Sequence, residues 1–536
     1  MCICGSVSGL GSLSTTFVGH FSVPHLSVQF FVPSHVVIVG GGLAGLAAAA
    51  ALSARGDLQV TLLESRSRWG GRASSFVDQT TGETIDNCQH VNLGCGTNFQ
   101  HFCRTIGIER FFHREDALNF VGPDGRISRF AAASLPAPLH LFPAFLRLRF
   151  LSLMEKRQLA RGLRALARTQ PESNSNESFL DWLRRHGQSQ TVIERFWHVV
   201  LVSALSETVD RTDIGHAQKV FVDAFLSNRR GWEVWLPTVP LDELYGEALA
   251  RWFEARGVEA QLQAGVRRVG AAAVESGGMA DRAGGVQLRS GEQISADQVI
   301  LAVPQNLVLP LLPEEWQQHA ALAAILQLET APISSVHLWF DRPVTNLRHV
   351  TFVGRLSQWL FNRSAIQEGG ARTSGSRSAG GATPPDPPLL RGGENQSEIR
   401  NPKSETFYYQ VVISASRDVL TLGQEETIRT VIEELAAVWP KIREARLTHS
   451  RLLTEHRAVL SMRPGVDRLR PPQQSPIENL HLAGDWTRTG WPSTMEGAVR
   501  SGYLAAESVL RQLGRPEQLV QPDLALAPLS KLLFGL

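Results

Sequence analysis

Between His35 and Ser65 the chain reads HVVIVGGGLAGLAAAAALSARGDLQVTLLES: an apolar run, a glycine turn, a small-residue segment and a second apolar run. The Val36 to Val39 run is short and β-branched, as in a strand buried on both faces. Ala47 to Leu52 favours helix and Gln59 to Leu63 the next strand, which together make a βαβ unit. From about 111 to 235 the pattern changes. MEKRQLARGLRALART and SFLDWLRRHG carry apolar residues at helical spacing, after the Pro-rich LPAPLHLFPAFLRLRF. Strand-like runs return at VEAQLQ, GVQLRS and QVILAVP, and again at SSVHLWF, QWLFNR and TFYYQVVISA, with a helix over EETIRTVIEELAAVW. IENLHLAGDW then predicts a last strand and MEGAVRSGYLAAESVLRQLG a last helix.

Two stretches carry no period. Residues 1–34 hold no Asp, Glu, Lys or Arg and are broken by Gly, Ser and Pro. They lack the basic start of a secretory signal and any run of about 18 apolar residues, and read as a disordered leader. Residues 364–404, rich in Gly, Ser, Pro and Arg, read as a disordered insertion.

Composition narrows the function class. With 536 residues, 43% hydrophobic, the chain has ample material for a large core, and its net charge of +2 argues against a nucleic-acid binder. Five cysteines without zinc spacing predict reduced thiols in a reducing, cytoplasmic compartment and no metal site.

Gly40-x-Gly42-x-x-Gly45 follows a predicted strand and opens a predicted helix. The glycines allow a tight turn, close approach of a pyrophosphate and close helix–strand packing. The helix N-terminus offers unpaired N–H groups to the phosphates. Glu64, ending the second strand, stands where a carboxylate accepts hydrogen bonds from a ribose diol.

ESRSRWGGRASS, after that carboxylate, resembles the double-glycine signature of the FAD-dependent amine oxidase and carotenoid desaturase superfamily. The resemblance implies that Gly70 and Gly71 pass tightly against the dinucleotide. It also implies that Arg72 meets its phosphates, with Arg66 near the adenosine end. Gly484 and Asp485 in LHLAGDW match the family's late Gly-Asp, whose aspartate meets the ribityl chain. Met495 and Glu496 would begin the helix facing the flavin, and Val266 in AGVRRV would contact the adenine side. Non-covalent FAD is therefore the expected cofactor, because no late cysteine offers an attachment point.

The implied fold is α/β, with a Rossmann-like FAD-binding domain from 35–110, 236–305 and 446–515. It is interleaved with an α+β, mixed helix and sheet substrate domain from 111–235 and 306–445, and residues 516–536 form an apolar tail.

DNCQHVNLGCGTNFQHFCRTIG, SSVHLWFDRPVT, QWLFNR and LAGDWTRTGWPSTMEGAVRSGYLAAE resemble one branch, the squalene-associated FAD-dependent desaturases or hydroxysqualene dehydroxylases of hopanoid synthesis. This resemblance implies a triterpene lipid substrate, an unidentified electron donor, and reductive removal of the hydroxyl of hydroxysqualene to give squalene. Hydroxide leaves poorly, so an acid is required, and the candidates are His90, Asp86 and Glu496. A core histidine at position 90 and a turn-capping Asp86 are the structural alternatives. A lipid substrate also suggests peripheral contact with the inner face of the cytoplasmic membrane, through LPAPLHLFPAFLRLRFLSL or the tail LALAPLSKLLFGL. Both segments read equally as core or docked chain. The rival functions are a carotenoid or phytoene-type desaturase, a flavin amine oxidase and a non-enzymatic prenyl-lipid escort protein. Only four tyrosines and one central lysine, Lys219, are present to build an amine oxidase site.

Overall fold

A computed structural model describes residues 33–170, 176–272, 281–367 and 406–534. The predicted leader, except for its last two residues, and most of the predicted insertion lie outside these. The first strand begins at Ser34, inside the predicted leader, and Ser364 to Gln367 are helical, inside the predicted insertion.

Five short apolar runs form one parallel sheet, in the spatial order Val258–Gln261, Leu58–Leu63, Ser34–Val39, Gln298–Leu301 and Leu480–Leu482. Runs this apolar suit a sheet covered on both faces. The helix Leu43–Leu52 is buried almost all round, which explains its lack of a polar face. Its alanines allow close contact with the last helix, Met495–Gln512. A Cβ at Gly502 would run into the carbonyl oxygen of Ala44.

A second sheet of seven strands runs in the order Leu447–Leu460, Thr330–Phe340, Phe407–Ser414, Trp359–Asn362, His349–Phe352, Leu118–Val121 and Ile127–Phe130. Helices of the 142–224 region pack with it around Phe179, Trp182, Trp197 and Phe221. Among them, Leu153–Arg168 opens with a capping box between Ser152 and Glu155.

Two expected boundaries move. Leu447–Leu460 lies within the stretch assigned to FAD binding, yet it pairs with Thr330–Phe340 as an edge of the second sheet. Conversely, Val308, Trp316 and Leu322 lie beyond residue 305 but share a core with Val37 and Leu301 of the parallel sheet. Short runs do not reveal which sheet they join, because register and packing decide it.

The tail is docked as far as it is described. Ser530 Oγ donates to the carbonyl of Leu226 at 2.6 Å, although Leu532 is 78% exposed.

His481 ties the edge of the parallel sheet to the last helix. Its Nε2 faces Gln298 Oε1 at 2.8 Å and its Nδ1 faces Ser508 Oγ at 2.9 Å. Burial pushes this imidazole down from 6.5 to about 4. Between those values the unfolded chain takes up a proton that the folded chain refuses. Stability therefore falls as pH is lowered through that window and is unaffected above it. Urea unfolding across the window is expected to lose about 1.4 kcal/mol per pH unit from this residue, and His481→Gln to remove that part of the slope.

Candidate functional site

A cavity of about 690 Å³ runs from the carboxyl ends of the parallel strands to the inner face of the seven-stranded sheet. At its first end the two glycine signatures are stitched together. Gly70 N–H donates to the Gly41 carbonyl at 2.9 Å, and Gly42 bridges Gly70. Gly40 needs its glycine, with φ of +110° and a hypothetical Cβ directed into the carbonyl of Ala302. The helix Leu43–Leu52 follows with Gly42 at its N-cap and neither a side-chain cap nor an acid in its first turn. Bare backbone and an uncapped helix end thus face the cavity, a cradle that fits a dinucleotide pyrophosphate.

Glu64 closes this end. Its Oε2 accepts the Gly41 N–H and its Oε1 the Arg66 N–H, each at 2.8 Å. The Arg66 guanidinium bonds the Gly71 carbonyl at 3.2 Å at the cavity border. Val266 lines the cavity on the same side, opening the strand Val266–Ala271. These positions suit the adenosine half of the expected cofactor.

Further along, Arg72 pairs with Asp485 and donates to the Ala458 carbonyl at 2.6 Å. Ser493 Oγ also donates to Asp485, so this carboxylate is held by two segments. Gly484 turns the chain with φ of +147° against the Trp486 indole, whose Nε1 donates to Val303 at 2.9 Å. Thr494 caps the last helix by accepting the Gly497 N–H, and Met495 and Glu496 then line the cavity. The structure brings Gly40, Gly42, Glu64, Arg66, Gly70, Gly71, Arg72, Val266, Gly484, Asp485, Met495 and Glu496 to one cavity. Gly45 sits one layer behind, packed on Gly40.

The three candidate acids fare differently. Asp86 does not line the cavity. It is buried against Arg363 at 2.9 Å and accepts bonds from Ser75 Oγ and Leu241 N–H, which removes it from the proton donors. Glu496 accepts from Asn98 Nδ2 and Phe99 N–H, each at 2.8 Å, joining two helices. Burial raises its pKa, while Phe99 N–H and Arg500 oppose the rise. His90 lines the cavity, and its Nδ1 bonds the Cys88 carbonyl at 2.9 Å. A carbonyl only accepts, so the proton sits on Nδ1. Burial pushes the pKa below the ordinary value, so Nε2 is left as an acceptor near neutral pH.

Several other residues shape the site without an expected role, although Trp69 and Asn87 stand inside the quoted motifs. Trp69 stacks over Gly41, and Asn87 Nδ2 donates to the Arg72 carbonyl at 2.6 Å. Arg470 reaches the Asp485 carbonyl at 3.1 Å. The far half of the cavity is walled by Phe120, Val200, Val220, Trp359, Phe361 and Val412, of which only Trp359 and Phe361 fall in a motif, QWLFNR, and neither carries an expected role there. Only their apolar character was visible beforehand.

No tyrosine lines the cavity, and Lys219 is held outside it by Asp223 at 2.9 Å and Asp523 at 3.4 Å. Among the described residues no cluster suits a metal ion, and no helix is long and apolar enough to cross a membrane.

The family model for flavin containing amine oxidoreductase matches residues 43–510. The 15-cis-phytoene desaturase of Solanum lycopersicum is 26% identical over 497 residues, 89% of this chain and 78% of that protein. That of Synechococcus elongatus is 26% identical over 506 residues, 90% of this chain and 98% of that protein. An oxidoreductase from Methanosarcina mazei shares the fold at a TM-score of 0.63 and 16% identity, covering 87% of this chain and 98% of that one. Cyclohexylamine oxidase from Brevibacterium oxydans does so at 0.58 and 17%, covering 90% and 100%.

Proposed function

Because this chain belongs to the flavin-containing amine oxidoreductases and uses FAD, we propose that it is a desaturase of a linear isoprenoid. The observation carrying this reading is the apolar compartment continuous with the dinucleotide cradle, together with a neutral His90 whose Nε2 can accept a proton. Desaturation removes a hydride and a proton from adjacent carbons. Bound FAD supplies the two-electron hydride acceptor. Gly40 to Gly42, Gly70 and Gly71 would hold its pyrophosphate, Glu64 its ribose and Asp485 its ribityl chain. His90 Nε2 would take the proton, and the surrounding Phe and Val side chains exclude water.

The likeness to phytoene desaturases at 26% identity supports the same reading. An amine oxidase is less well supported, because among the described residues neither lysine nor tyrosine lines the cavity.

Reductive dehydroxylation of hydroxysqualene is the second reading, favoured by the double-tryptophan motif, since both Trp486 and Trp491 line the cavity. It needs a protonated donor, which neither the ion-paired Asp86 nor the neutral His90 provides; this leaves Glu496, whose pKa burial raises but whose carboxylate accepts from Asn98 and Phe99.

Two anaerobic incubations separate these readings. Oxidised holoenzyme with phytoene is expected to bleach its flavin and yield a longer polyene. Reduced holoenzyme with hydroxysqualene is expected to keep its reduced spectrum. Squalene formation with flavin reoxidation would reverse the choice.

A lipid substrate also implies access from a membrane surface. Leu135, Leu139, Phe142, Leu146, Leu153 and Met154 are all exposed within one segment that also carries Arg147 and Arg149. This composition supports interfacial contact. The protein is expected to sediment with anionic liposomes, and Phe142→Asp combined with Leu146→Asp to leave it in the supernatant. Wild-type protein that stays wholly in the supernatant would remove the membrane contact.

A further inference from the structure

The far half of the cavity is mainly apolar, and one polar side chain on its wall is left unused by the desaturase reading. Thr351 stands on the strand His349–Phe352, 1% exposed, and lines the cavity. Its Oγ1 has no hydrogen-bond partner. Most buried threonines bond a neighbouring carbonyl or side chain, because an unpaired buried hydroxyl forfeits its bonds to water. Thr351 is in direct register with Trp359 on one side and Phe120 on the other. Side chains of such pairs stand beside each other on one face of a sheet.

Trp359 also lines the cavity and donates its Nε1–H to Ser203 Oγ at 2.8 Å, and Ser203 in turn donates to the Val199 carbonyl at 2.7 Å. Ser203 has therefore spent its proton, whereas the Thr351 hydroxyl is buried without a partner. Along the sheet, Phe361 and Gln410 are paired, and Gln410 lies beside Asp86, next in sequence to the Asn87 that bonds the Arg72 backbone. Thr351, opposite Trp359, lies two residues further along the Trp359–Asn362 strand than Phe361 and one strand further out. It is thus displaced from the cofactor end of the cavity.

We propose that Thr351 is a specificity site for an oxygen function, a hydroxyl or carbonyl, on a linear isoprenoid whose reacting carbons lie nearer the flavin. The proposal rests on the isoprenoid reading above and narrows it from hydrocarbons to oxygenated chains. A carbonyl would accept the Thr351 proton, and a hydroxyl could either donate or accept. Phe120, Phe361 and Val412 would pack the hydrocarbon body but cannot distinguish an oxygen from a methyl group.

The test uses the holoenzyme in detergent and two probes, geranylgeraniol and its deoxy counterpart ending in a methyl group, titrated calorimetrically. Comparing variants cancels the unequal partition of the two probes into micelles. Thr351→Val is expected to raise the Kd of geranylgeraniol relative to the hydrocarbon by about 10-fold, the loss of one buried hydrogen bond. Thr351→Ser, which keeps the hydroxyl, is expected to stay within about twofold of wild type. An unchanged ratio in Thr351→Val overturns the proposal, as does an equal loss for both probes. Because binding is read without turnover, the two readings fail separately. A holoenzyme that desaturates phytoene with an unchanged ratio refutes only the oxygen site. A changed ratio without polyene turnover refutes only the desaturase.

Discussion

Gly45→Ala protein is expected to be recovered without its flavin and with a markedly lower Tm. The glycine sits in the first turn of the helix Leu43–Leu52, and a methyl group there would be driven into the Gly40 carbonyl, with the Ala302 Cβ 3.3 Å away. Neither neighbour can yield cheaply. Gly40 is itself held at φ of +110° with its own Cα face against the Ala302 carbonyl, and Ala302 N–H donates to Val39 at 2.8 Å. The helix must therefore lift off the sheet or the turn must open, and either movement spoils the pyrophosphate cradle. Overpacking of this kind costs about 3 kcal/mol at the upper end of its usual range, and the loss of bound FAD removes further stability by mass action. The ratio of flavin to protein absorbance measures the first effect, and a melting curve with added FAD the second. Gly56→Ala is the control, because nothing lies within 4 Å of its Cβ and it is expected to be yellow and fully stable. A yellow Gly45→Ala protein of unchanged Tm would show that the turn does not form as described.

The second large effect lies at Asp86 and Arg363. Arg363 is 1% exposed, and besides Asp86 it donates to Gln89 Oε1. Asp86 also joins Ser75 and Leu241, so one carboxylate connects three distant segments. Removing one member of such a pair strands the other charge in the interior, typically costing about 3–5 kcal/mol. Asp86→Ala and Arg363→Met are each expected to lower the Tm steeply. The Asp86→Ala/Arg363→Met double variant should recover much of the loss, since no unpaired charge remains. A double-mutant cycle by thermal unfolding reads the coupling directly. Independent, additive losses would mean that the two groups do not depend on each other. In that case an Asp86 role in proton donation would return to consideration.

The same pair shows where sequence reading stops. DNCQHVNLG offers a carboxylate, a cysteine and a histidine together, and any of them could face a pocket. Arg363 stands 277 positions away, so nothing local reveals that Asp86 is already neutralised. His90 was visible as a candidate, but the proton position on Nδ1 depends on the path of the Cys88 carbonyl, which only the folded loop defines. Thr351 carries no motif at all. In HVTF it is one strand residue among many, and its unused hydroxyl emerges from the register with Trp359.

Local sequence was enough to specify the glycine turns proposed to hold the dinucleotide. Gly40, Gly42, Gly45, Gly70, Gly71 and Glu64 act through backbone conformation and closeness over a few residues, and residue type alone sets those constraints. It also determined the last helix, since the Thr494 cap and the small-residue face facing Ala44 are local features. Long-range packing settled which sheet the 447–460 strand joins, which carboxylates are paired, and which apolar side chains wall the far half of the cavity. Those outcomes depend on pairings hundreds of positions apart, and a strand's alternation says that it has two faces without saying what each face meets.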